Sequence, residues 1–131
     1  MKPILDENKP IFEQIAETIE DEIIKGGFKE GEQVPSTNQF AAMYQINPAT
    51  AAKGLNKLVE EGILFKKRGI GMFVASGARE KLMEKRKQMF NAEYVWPMLQ
   101  EANKLNISWN ELEEIIKSSY SQLEKERMSG E

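Results

Sequence analysis

Three consecutive cations, Lys66, Lys67 and Arg68, run directly into Gly69-Ile70-Gly71, and a second group, Ala49, Thr50, Lys53, Asn56 and Lys57, recurs at spacings of three and four. The chemistry these groups offer is recognition of an anion. Ammonium and guanidinium groups suit phosphates, short polar side chains beside Lys suit base edges, and glycines let backbone approach a ligand closely. Bond-making chemistry has little to work with: the 131 residues include no Cys and no His, which removes thiolate and imidazole catalysis and the usual zinc ligands. No catalytic residue, metal ligand or cofactor is therefore nominated. Gly69-Ile70-Gly71 also lacks the Lys and the following helix of a nucleotide-binding loop.

The formal charge of -3 conceals an uneven distribution. Residues 1 to 43 carry 4 basic and 9 acidic side chains, residues 44 to 90 carry 10 and 4, and residues 91 to 131 carry 4 and 8. A positive middle between two negative flanks is the pattern of a localised anion-binding surface, although solvated helix faces also produce it. Apolar residues make up 40% and the mean hydropathy is -0.54, with no apolar run long enough to span a membrane. With an acidic N-terminal stretch unlike a secretory signal, the expectation is a soluble, cytoplasmic protein with no membrane partner.

The elements that must position these groups follow from periodicity and capping. Ile11, Ile15, Ile19 and Ile23 mark an amphipathic helix ended by Gly26-Gly27, with Glu13, Glu17, Glu20, Asp21 and Glu22 on what reads as its wet face. Residues Phe28 to Pro35 read as a linker. Ser36 and Gln39 then form a capping box that opens a short helix. After a turn at Gln45-Ile46, Asn47 as N-cap and Pro48 as first helical residue open a third helix. Ala51, Leu55, Leu58 and Val59 are its buried stripe, which leaves Ala49, Thr50, Ala52, Lys53, Asn56 and Lys57 outside. Gly62 stops it. Ile63 to Lys67 and Met72 to Val74 then read as a hairpin whose cationic tip either meets an anion or protects a sheet edge.

From Ala78 the pattern is helical. Leu82, Met89 and Trp96 recur every seven residues beside Met83 and Phe90, a seam that wants a partner surface. Arg79, Lys81, Lys85, Arg86 and Lys87 extend the basic segment, and Pro97 predicts a kink or break. Ser108 and Glu111 cap a last helix, with Ile107 and Leu112 as a hydrophobic staple and Leu112, Ile115, Ile116, Ser119 and Leu123 as its inner stripe. Fraying is expected after Glu124.

Helix, helix, tight turn, helix and basic hairpin over residues 10 to 76 make a winged helix-turn-helix. The wording of Pro10-Ile11-Phe12-Glu13-Gln14-Ile15, Pro35-Ser36, Phe40-Ala41, Asn47-Pro48-Ala49-Thr50, Leu58, Glu61-Gly62-Ile63 and Arg68-Gly69-Ile70-Gly71-Met72-Phe73-Val74 resembles the GntR family of bacterial transcription regulators. The resemblance implies a mainly α fold with a small β-hairpin wing, residues 1 to 76 binding a double-stranded DNA operator and residues 77 to 131 forming a helical region for dimerisation or effector binding. It further implies a helix-turn-helix starting at Ser36, Thr37 and Asn38, a recognition helix opened by Asn47 and running from Pro48 to Glu61, and a wing from Lys66 to Phe73. The short C-terminal part is similar to the YtrA-type subfamily, in which a helix pair dimerises the protein. Leu82, Met89, Phe90, Trp96, Leu99, Leu112, Ile115 and Ile116 are the expected dimerisation residues.

The chain departs from the family pattern at Asn38, where Arg is usual, at Ala51, where Val is usual, and at Ile70 and Met72 in the wing. These bear on sequence preference. A homodimeric repressor on a pseudo-palindromic operator is the main reading. A winged-helix module that binds protein is the alternative, and a small-molecule effector pocket lined by Tyr94, Trp96, Trp109 and Tyr120 is a further one.

Overall fold

A computed structural model describes residues 7–130. The four-residue stripe of isoleucines does fold as an amphipathic helix, α1 (Ile11–Lys25), with Ile15, Ile19 and Ile23 fully buried and Ile11 left half exposed at its start. α2 (Thr37–Tyr44) opens with the expected capping box: the Gln39 amide N–H donates to Ser36 Oγ at 3.1 Å, and the Ser36 N–H donates to Gln39 Oε1 at 2.7 Å. Gln45, in the left-handed region at φ 55°, turns the chain sharply. Two residues later Asn47 caps α3 (Pro48–Glu60), its Oδ1 accepting from the Ala49 N–H at 2.7 Å. Ala51, Leu55 and Leu58 then enter the same core as the α1 isoleucines. Side chains of this size, fully buried, contribute about 1.5–3 kcal/mol each, so this seam holds the three helices together.

Gly54 decides how closely α3 meets α1. A Cβ built at this position would lie 2.8 Å from the Phe12 carbonyl oxygen and 3.2 Å from Ile15 Cβ. Helix propensity alone makes Gly54→Ala stabilising by about 1 kcal/mol. Here the obstruction is backbone, which cannot swing aside, so we expect the opposite sign. Thermal unfolding of Gly54→Ala should show a loss of about 1–3 kcal/mol, as for an overpacked core.

After Gly62 the chain enters β1 (Leu64–Lys67), which pairs antiparallel with β2 (Gly71–Val74) in the register Leu64↔Val74, Phe65↔Phe73, Lys66↔Met72, Lys67↔Gly71. The segment before α2, read from sequence as a plain linker, lies along β2. Val34 N–H donates to the Met72 carbonyl, Gly31 N–H to the Val74 carbonyl and Val74 N–H to the Glu32 carbonyl, each at 2.9 Å. The wing is thus held at its base by a third strand-like segment.

α4 (Ala78–Phe90), a π-helical turn (Asn91–Val95) and α5 (Trp96–Lys104) follow without a loop between them. The helix is not broken at Pro97; a π turn immediately precedes it. Proline has no N–H to donate and its ring collides with the carbonyl four residues back, and widening the preceding turn accommodates both defects while Val95 and Trp96 keep helical dihedrals. Ser108 caps α6 (Trp109–Ser129) through the Glu111 N–H at 3.2 Å. The fraying expected after Glu124 does not occur. Glu124 to Arg127 are good helix formers, and Arg127 pairs with Glu124 at 3.7 Å across one turn, so the helix runs on to Ser129.

The chain divides into two compact units, one through Arg86 and one from Lys87. The first extends past the boundary expected at Ser76 because Ala78 and Leu82 are completely buried in its core. No helix among the described residues is long and apolar enough to cross a membrane.

Candidate nucleic-acid interface

The outer face of α3 is presented as its spacing predicts. Ala49, Lys53 and Asn56 are exposed, Thr50 and Lys57 are half-buried, and of the opposite stripe Ala51, Leu55 and Leu58 are fully covered while Val59 is half-buried. The first turn carries no acidic side chain, so no charge opposes the positive end of the helix dipole, while the Ala49, Thr50 and Ala51 N–H groups are all bonded to Asn47 and Pro48 has none. Small residues there let the helix approach a surface closely. Lys53 is not a loose side chain: its Nζ lies 4.2 Å from the centre of the Phe12 ring, an attraction worth about 0.5–1 kcal/mol at an exposed site. Phe12, read from the sequence as part of the Pro10–Ile15 motif, was not nominated for the site, and its role depends on α1 and α3 meeting at Gly54.

Lys57 behaves differently. Its Nζ donates to Glu61 Oε2 at 2.9 Å. That bond holds the Lys57 ammonium above its ordinary value, against the opposing effect of partial burial. For Glu61, burial by itself would raise the carboxyl, but the hydrogen bond from Lys57 and the charge of Lys85 outweigh it and hold the group below the usual carboxylate range. Asn47 and Ser36 also have part of their capacity engaged, since their side-chain oxygens are the caps of α3 and α2. Asn47 keeps its amide donors and Ser36 its hydroxyl proton. Thr37 is half-buried in the first turn of α2, and Asn38, where the family pattern has Arg, is exposed beside it.

In the wing, strand alternation separates the two lysines. Leu64 and Lys66 lie on the face that carries the buried Val74, while Phe65 and Lys67 lie on the other. On that outer face Phe65 and Phe73 stack at 5.7 Å between ring centres, and Lys67 Nζ sits 4.6 Å from the Phe73 ring. Arg68 and Gly69 form the tip, with Gly69 at φ 78°. Gln33 Nε2 donates to the Ile70 carbonyl at 2.9 Å and braces the turn, a contact between distant segments that no local pattern announces.

Four basic residues of α4 are turned to acceptors within the first unit. Arg79 Nε donates to the Ile24 carbonyl at 2.9 Å, Lys81 Nζ donates to the Glu61 carbonyl at 3.0 Å, and Lys85 and Arg86 each reach Glu20 at 3.4 Å. Glu20, expected on the wet face of α1, is only 4% exposed. Arg79, Lys81, Lys85 and Arg86, read from the sequence as extending the basic segment together with Lys87, are thus each bound within the unit itself. By contrast, among the described residues no carboxylate pairs with Lys53, Lys66, Lys67 or Arg68.

Residues 11–74 match the family model for bacterial regulatory proteins of the gntR family. The transcriptional repressor YtrA of Bacillus subtilis is 31% identical over 108 residues, a match covering 82% of this chain and 82% of YtrA. The chain belongs to the GntR family. It is a DNA-binding transcriptional regulator. A crystal structure of a GntR-family protein from Bacteroides thetaiotaomicron superposes with a TM-score of 0.68 at 32% identity, covering 86% of this chain and 98% of that one. The DNA-binding domain of AraR, solved in complex with operator ORX1, matches with a TM-score of 0.52 at 26% identity, covering 57% of this chain and 95% of that domain.

The second unit of this GntR regulator holds an apolar groove of about 530 Å³ between α5 and α6, lined by Met98, Leu105, Leu112, Ile115, Ile116 and Leu123 among others. Of the aromatic residues suggested for an effector pocket, Tyr120 borders the groove while Tyr94, Trp96 and Trp109 do not. Met89, Phe90 and Trp96 are exposed and Leu99 is half-buried. Leu82 is a correction: expected in the dimer seam, it is completely covered by the core of the first unit.

Proposed function

We propose that this GntR-family regulator is a homodimeric repressor that places its two α3 helices in successive major grooves of a pseudo-palindromic operator, with the wings over the adjacent minor grooves. The observation that carries this reading is the division of labour among the cations. Arg79, Lys81, Lys85 and Arg86 of α4 are held by internal acceptors, whereas Lys53, Lys66, Lys67 and Arg68 are exposed and, among the described residues, paired with no carboxylate. Lys66, Lys67 and Arg68 act on phosphates and set affinity. Thr50, Lys53 and Asn56 meet base edges and set preference, with Ala49 allowing the close approach. Lys57 joins them once a phosphate replaces Glu61.

The second unit supplies the dimer. Ile115 and Ile116, 45% and 40% exposed, line an aliphatic groove that suits the same face of a second copy better than it suits a polar effector.

Selection of bound duplexes from a random pool tests the reading directly. Recovered sites should contain two inverted half-sites about one helical turn apart. Asn56→Ala, put through the same selection, should lose preference at one base pair per half-site, equivalent to about 1–3 kcal/mol of discrimination, while the rest of the motif stays. Recovery of sequences with no common motif would remove the reading.

A further inference from the structure

Two rows of ionic contacts flank the apolar strip by which α4 joins the winged unit. Ala78 and Leu82 form the strip and are completely buried. On one side, Arg79 binds the Ile24 carbonyl, and Arg86 binds Asp21 at 2.7 Å and Glu20 at 3.4 Å, all on α1. On the other, Lys81 binds the Glu61 carbonyl at the end of α3, and Lys85 lies 3.6 Å from the Glu61 carboxylate and 3.4 Å from Glu20. Glu20 is common to both rows and almost wholly buried, so its charge is held where water cannot satisfy it. An apolar strip alone permits a helix to slide and roll. Acceptors fixed on two sides, one of them sunk in the core, permit neither.

We propose that Glu20, with Asp21 and Arg86, positions the protein for operator recognition by fixing the direction in which α4 leaves the winged unit, and so the half-site spacing that a dimer accepts. The inference rests on the dimeric reading above. With Glu20 buried but Lys85, Arg86 and Asp21 half-exposed, these contacts add little net stability, and the best-attested use of ionic groups set into a fold is to select one arrangement over near alternatives. None of the three residues belongs to the DNA-contacting face, so their effect reaches DNA only through the exit direction of α4. A tether that holds its two binding modules in the right geometry raises their effective concentration at the second site, and a loosened tether gives up that gain.

The test uses the full chain and duplexes carrying two copies of the selected half-site at a graded series of spacings, together with a single-half-site duplex. The wild-type protein should bind best at one spacing. In Glu20→Gln/Asp21→Asn, and independently in Arg86→Gln, affinity at that spacing should fall about tenfold and the preference should flatten. The single-half-site affinity should stay unchanged, and Arg86→Lys should keep the wild-type profile. Sedimentation and thermal melting establish that each variant is folded and dimeric, and Arg86→Gln, which leaves Glu20 paired with Lys85, serves if the double variant does not fold. Variants that retain the wild-type spacing profile overturn the inference while leaving the dimeric reading intact. A wild-type protein indifferent to spacing overturns both.

Discussion

Ile115→Glu/Ile116→Glu should convert the protein to a monomer at micromolar concentration and lower its affinity for a two-half-site operator by about a hundredfold or more, because the second half-site loses its tethered partner. The two isoleucines lie together on α6 in the stripe Leu112, Ile115, Ile116, Ser119 and Leu123, and all five border the apolar groove of the second unit. A two-fold interface uses the same patch from both copies, so each substitution is felt twice. A carboxylate at the centre of such a patch loses its hydration with no cation in the groove lining to compensate it, since apart from Glu101, Ser119 and Tyr120 the lining is apolar. The first unit contains none of these residues and keeps its core, so binding to a single half-site should be unchanged. Sedimentation velocity and fluorescence anisotropy on one- and two-site duplexes measure the three quantities. A wild-type monomer, or a dimer that survives both substitutions, would remove the second unit from the role assigned to it.

What could be read from the sequence was what depends on neighbours within one helical turn. The Ser36 and Asn47 caps, the turn at Gln45 and the buried stripe Ala51, Leu55 and Leu58 are local features, and each stands where its spacing placed it. The features that were missed involve partners far along the chain. Glu20 stands in sequence among acidic residues of which none is buried, and its reason for being buried lies in Lys85 and Arg86, 65 and 66 residues later. Gly54 reads as a weak helix residue until the Phe12 carbonyl is seen against it. Residues 31 to 34 have too few alternations to signal a strand, and only the hydrogen bonds to β2 give them one. Leu82 fits a seven-residue seam with Met89 and Trp96, but the π turn at Asn91–Val95 interrupts the register of that seam and the core claims Leu82 first. Charge was the least transferable signal. Composition located the basic segment correctly, yet a side chain's sign does not reveal whether it faces solvent or a carboxylate, and four cations of α4 proved to be latches.

The wing makes the corresponding claim about affinity. Lys66→Ala/Lys67→Ala/Arg68→Ala should weaken binding to every duplex alike, operator and random sequence, without changing which sequence is preferred, because phosphate contacts carry no base information. Each neutralised phosphate contributes about 0.9 to the slope of log affinity against log salt, so three lost contacts should flatten that slope by about 2.7. Between 50 and 200 mM salt, the gap between wild type and variant should accordingly narrow roughly 40-fold. The geometry adds a finer expectation. Lys66 and Lys67 project from opposite faces of the hairpin, so in a minor groove they address opposite phosphate walls and their single-alanine effects on the slope should add. Lys67 also lies over Phe73, which offers a competing role as a clamp on the wing. A clamp would show itself as a change in thermal stability with the salt slope untouched, and an unchanged slope in the triple variant would take the wing out of the interface altogether.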